Sequence, residues 1–105
     1  MPQFTVYHNK NLQTRSAIPY LLDVQSDLLS DLDTRVVIPL ARPGATKEKR
    51  IGGLTPILKV DGEPYLVLTP QLAGIPKSEL GRAVVSFEEH RFEIVAAIDF
   101  LVTGI

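Results

Sequence analysis

Residues 94–105 read IVAAIDFLVTGI, with Asp99 the only charged side chain in the run. Ile94, Ile98, Leu101 and Ile105 recur at helical spacing and form one stripe. Val95 and Val102 widen that stripe, while Ala96 and Phe100 lie towards the other side. One face of a small domain cannot cover apolar side chains spread so far around a helix. The run is therefore expected to meet a second copy of the chain or a partner protein. It is too short for a membrane span, which takes about 20 apolar residues.

A single domain is expected from 105 residues, long enough to bury a core. Hydrophobic residues at 45 % and charged residues at 22 % are globular proportions and argue against disorder. A formal net charge of −1 supplies no overall basic footprint for holding nucleic acid by its phosphates. The absence of cysteine excludes a disulfide scaffold and thiolate zinc sites. The opening MPQFTVYHNK has neither the basic stretch nor the apolar core of a secretory leader. A cytoplasmic domain without a membrane segment is the expectation.

Most of the chain reads as short strands. Gln3 to His8 alternates Phe4 and Val6 with polar neighbours. Tyr20 to Val24 and Arg35 to Leu40 are apolar, the latter rich in β-branched residues. Ser26 to Thr34 is turn-forming around Leu28 and Leu29, and Arg42 to Gly53 reads as a loop because of its glycines and Pro43. Ile57 to Val60 and Glu63 to Leu68 flank Asp61-Gly62, a two-residue type I′ hairpin signal. Val84 and Val85 suggest one more strand. Ser86 and Glu89 have the spacing of a capping box, with Gly104 as the helix stop. Many short antiparallel strands followed by one helix predict a small barrel, or a strongly bent sheet, closed by that helix.

Residues able to carry chemistry are few. His90 and Glu93 share a helix face, but a solvated polar patch accounts for them better than a metal site does. Ser26 lacks the glycine-flanked turn of a serine nucleophile, and a hydroxyl that satisfies a turn is the simpler reading. Asp23 with Asp27, or Asp31 with Asp33, has the proximity of a catalytic pair, yet aspartates beside turns more often cap or face water. Lys47, Lys49 and Arg50 make a basic cluster, either solvated loop or landing place for an acidic segment. Leu28 and Leu29 are adjacent in a turn; one can anchor the loop, and at least one is expected to face outward as part of an interaction patch.

The strings QFTVY at 3–7, DVQSDLL at 23–29, VVIPLA at 36–41 and AAIDFLVTGI at 96–105 resemble the CcdB family of bacterial toxins. DVQSD together with VIPLA is the specific part, and 42–55 matches poorly. The resemblance implies an SH3-like barrel of short antiparallel strands with a small extra sheet, one long C-terminal helix and a homodimer. It implies no catalytic role and no cofactor, but a poison that binds the A subunit of DNA gyrase and traps it on cleaved DNA. A CcdA-like antitoxin with an acidic, initially disordered tail would neutralise it. Carried over by position, the gyrase-facing set is Gln3, Phe4, Tyr7, Ser26, Leu28, Leu29, Asp99, Val102, Thr103, Gly104 and Ile105. The antitoxin-facing set is Arg42, Lys47, Lys49 and Arg50. Thr103, Val102 and Asp99 stand where the best-known member of the family carries Trp, Phe and Asn. Two other classes fit the same resemblance: a ribonuclease toxin on the same barrel, and a relative that keeps the fold without toxicity. The first needs an arginine with an acid or base and a positive groove.

Overall fold

Strand alternation starts two residues later than the sequence pattern suggests, and the reason lies in one phenylalanine. The computed structural model describes residues 2–104. Phe4 has φ +67°, a left-handed conformation that an aromatic residue seldom adopts, and this breaks the extended run. Its N–H donates to the Asp23 carbonyl at 2.7 Å and its own carbonyl accepts the Phe87 N–H at 2.7 Å, with the ring 1 % exposed. The first strand is accordingly β1 (Thr5–Asn9).

The strands that follow are β2 (Tyr20–Asp23), β3 (Thr34–Ala41), β4 (Ile57–Val60), β5 (Glu63–Val67), β6 (Ala73–Pro76) and β7 (Leu80–Ser86). The helix α1 spans Arg91–Thr103. All pairings are antiparallel, in the order β4-β5-β3-β2-β1-β7, with β6 added beside β3. Along one edge of β3, residues 34–37 face β6 and residues 40–41 face β5. The result is a curled antiparallel sheet consistent with an SH3-like barrel. The extra strand β6 belongs to this same sheet. Nothing in Ala73-Gly74-Ile75-Pro76 signals a strand, since glycine and proline are both poor ones; pairing with β3 creates it.

Asp61 and Gly62 have φ +52° and +80°, the two left-handed residues of a type I′ turn, which join β4 to β5 as expected. The central strands are apolar on both sides because both sides are covered. Val6, Leu22, Ile38 and Val67 meet Phe4, Phe87 and Ile94 in the main core. Tyr7, Leu21, Val37 and Leu80 make a second layer, with Ile18 and Ile75 packed on it.

The capping box does not form. Ser86 Oγ accepts the Glu88 N–H at 3.1 Å, a 3₁₀ turn occupies Glu88–His90, and Glu89 turns to His90 Nε2 at 3.5 Å instead of back to Ser86. The Ser86 backbone is held in β7 opposite Thr5, so the helix begins only after the buried Phe87 has anchored the chain. Within α1 the fully buried residues are Ile94 and Ala97, with Ile98 and Phe100 half-buried. Leu101 is exposed, which shortens the expected inward stripe. No helix among the described residues is long and apolar enough to cross a membrane.

Candidate protein-binding surface

The 23–29 segment is held by a buried polar network. Arg35 and Asp23, both without side-chain exposure, pair through Nη2 at 2.7 Å and Nε at 2.9 Å to the same carboxylate oxygen. The other Asp23 oxygen accepts the Gln25 N–H at 3.0 Å. Gln25 Oε1 in turn accepts the Val36 N–H at 3.0 Å, and its Nε2 donates to the Leu29 carbonyl at 2.9 Å. Burial pushes the Asp23 carboxyl above its ordinary range, against the pull of the Arg35 and Gln25 hydrogen bonds and the Arg35 charge. Asp23 is therefore the buried ion-pair partner of Arg35.

On that footing sits a 3₁₀ turn, Asp27–Leu29, capped by Ser26, whose Oγ accepts the Leu28 N–H at 3.2 Å. Ser26 thus serves the turn. Asp27 Oδ1 accepts the Gln3 N–H at 2.7 Å, and Gln3 Nε2 donates to the Val24 carbonyl at 3.0 Å. These bonds tie the N-terminal segment to the turn. Leu28 is left 94 % exposed and Leu29 50 % exposed, and neither belongs to a core cluster. Leu32, which the sequence reading passed over, is exposed beside them in the chain.

Phe4 and Tyr7, both of the expected contact set, have enclosed side chains. Both are buried, on opposite faces of the sheet, and cannot present their rings to another protein without opening a core. Burial, then the nearby Asp23 charge, pushes the Tyr7 hydroxyl above its ordinary value. The left-handed turn at Phe4 and the alternation along β1 at Tyr7 place the two rings in separate buried layers.

At the other end of the set, Asp99, Val102, Thr103 and Gly104 are exposed, Val102 at 75 %. Thr103 Oγ1 donates back to the Asp99 carbonyl at 2.7 Å. Gly104 closes the helix in the left-handed conformation, φ +76°, with its N–H on the Phe100 carbonyl at 2.8 Å. Ile105 lies outside the described residues. The first turn of α1 stands by the core, with Arg91 over the Phe4 ring at 5.9 Å, while Phe100 near its end packs towards Gly53. No hydrogen bond or ion pair among the described residues joins the leucine turn to the helix end.

Arg42 differs from the other three basic residues of its loop. Its Nε donates to the Ser16 carbonyl at 3.1 Å, and its guanidinium lies 5.9 Å from the Tyr65 ring centre. Lys47, Lys49 and Arg50 are exposed and form no ion pair among the described residues. His90 packs edge-on to Phe87, and no group of three metal-ligating side chains occurs among the described residues.

A solved structure of an endoribonuclease in complex with its cognate antitoxin, from a mycobacterial species, superposes with a TM-score of 0.72 at 16 % identity. The match covers 97 % of this chain and 95 % of that one, so the two share a fold over almost their whole lengths. The family model described as CcdB protein matches residues 3–104, and the chain belongs to the CcdB family.

Proposed function

We propose that the protein is the toxin of a toxin–antitoxin pair that binds the A subunit of DNA gyrase, traps the gyrase–DNA cleavage complex, and is not itself an enzyme. The observation that carries this reading is the rigidly held Leu28–Leu29 turn. Its backbone is fixed by Ser26, Gln25 and Asp27, so exposed apolar area is offered with little ordering left to lose on binding. Gln3, Ser26, Leu28 and Leu29 make one half of the contact, and the last turn of α1 with Asp99, Val102, Thr103, Gly104 and Ile105 makes the other. A homodimer that brings two helices side by side would enlarge the surface. Lys47, Lys49 and Arg50, with Arg42 at the loop root, would receive the acidic tail of the antitoxin.

The test is a plasmid cleavage assay with purified gyrase. Linear plasmid is expected to accumulate only when gyrase and this protein are both present. Failure to do so at saturating protein would reject gyrase poisoning and favour a relative without toxicity. The ribonuclease reading draws support from the fold shared with an endoribonuclease. Cleavage of RNA by the purified protein alone would establish it.

A further inference from the structure

The stretch that follows the leucine turn is gripped twice by one residue. Lys77 Nζ donates to the Ser30 carbonyl, and the Lys77 N–H donates to the Asp33 carbonyl at 2.9 Å. Leu32 lies between those two anchored carbonyls, 48 % exposed, with its own N–H on the Leu29 carbonyl at 3.2 Å. Leu28, Leu29 and Leu32 are thus three exposed leucines on one short stretch whose main chain is tied down. A single exposed leucine is ordinary, but three on a fixed backbone offer an apolar surface to a partner.

The ammonium of Lys77 is committed to this grip. Half-buried Lys77 forms no ion pair among the described residues, although Asp31 and Asp33 belong to the stretch it holds. A surface lysine ordinarily keeps its head group in water, since fixing it costs hydration and side-chain freedom. A hydrogen bond from a charged donor is stronger than a neutral one and offsets that cost. Sheet pairing sets up the approach. Thr34 at the start of β3 stands opposite Pro76 at the end of β6, so the chain leaving β6 meets the chain entering β3. The near end of the stretch is held independently, by Gln25 Nε2 on the same Leu29 carbonyl that receives the Leu32 N–H.

Given the gyrase reading above, on which this assignment rests, we propose that Leu32 is a further contact residue beside Leu28 and Leu29, and that Lys77 is the positioning residue that holds it for the partner. Fixing the carbonyls of Ser30 and Asp33 removes backbone freedom from residues 30–33 before binding. The Leu32 side chain is then presented with little ordering left to lose. Without the ammonium, the Ser30 carbonyl turns to water and the stretch is freed at that point.

The experiment is calorimetric titration of the purified gyrase A subunit with the wild-type protein, L32A, K77M and K77R, with urea denaturation of each. L32A should raise the dissociation constant by about fivefold or more while its urea midpoint stays in place. K77M should raise it by about threefold or more, and K77R, which keeps a charged donor on a long stem, should recover most of the loss. In the L32A background K77M should have no further effect on binding, because Lys77 acts through Leu32. Wild-type binding that L32A leaves unchanged would overturn the contact role of Leu32 while the gyrase reading stands. An equal K77M loss in the L32A background would overturn the positioning role and make Lys77 structural. No binding by the wild-type protein would defeat the gyrase reading itself, and the assignment with it.

Discussion

Two residues of the expected contact set illustrate how differently neighbouring apolar side chains are used. Phe4 is enclosed in the main core, so Phe4→Ala should destabilise the fold by about 3–5 kcal/mol in urea denaturation. Leu28→Ala should leave stability within about 0.5 kcal/mol, because almost the whole side chain faces water. The same substitution should weaken binding to the gyrase A subunit by roughly tenfold or more, measured by calorimetry. Undiminished binding would remove the leucine turn from the interface. The Asp23–Arg35 pair yields a second test. Its raised carboxyl value means that desolvation outweighs the attraction, so the folded state holds the proton more tightly than the unfolded chain. This group's contribution to stability should therefore fall as the pH rises from 3.8 through its higher folded value, and level off above it. Asp23→Leu alone should cost about 3–5 kcal/mol by removing the carboxylate that neutralises buried Arg35, whereas Asp23→Leu with Arg35→Met should be close to neutral or stabilising. Urea midpoints of the three proteins across the acid range would reveal both the order and the slope.

At the scale of elements, the β4–β5 hairpin and the helix end both depend on left-handed residues. Gly62→Ala should cost about 1–2 kcal/mol, since a Cβ at φ +80° is strained even though open space surrounds the position. Gly52→Ala, which also meets open space but has no left-handed φ, is the control and should be nearly silent in the same denaturation measurement. Gly104 caps α1 in the same way, and removal of residues 104–105 should lower the unfolding midpoint by only a few degrees. Loss of gyrase binding with folding retained would place the helix end in the contact. Unfolding would make those residues structural instead. The hairpin was legible because two adjacent residues suffice to encode it. Strand β6 was not, because its sequence carries no strand preference and only the edge of β3 gives it a partner.

For the whole molecule, the unusual feature is a helix that buries little of its apolar surface. Phe92 is 84 % exposed and Val102 75 %, with Val95 and Leu101 also open. Association through this surface should give a sedimentation mass near twice 11.6 kDa at low micromolar concentration. Val102→Glu combined with Phe92→Glu should shift the protein towards monomer without unfolding it, by the same measurement with circular dichroism as the check. A wild-type protein that stays monomeric throughout would leave the dimer without support.

The sequence by itself determined the features whose cause is local. These are the Asp61-Gly62 turn, the helical run after Phe87, the turn-bound character of Ser26 and the under-covered apolar C-terminal segment. Each is written in residues a few positions apart, so periodicity and backbone preference reveal it. Tertiary structure decided what depends on distant partners. It turned Phe4 and Tyr7 inward, replaced the Ser86–Glu89 cap by strand pairing with Thr5, and made β6 a strand. It also matched Asp23 with Arg35, and brought Lys77 to the carbonyl of Ser30. A charged side chain reads the same in sequence whether it meets water or a buried counter-charge. Only the fold sets the solvent and the neighbour that decide between them.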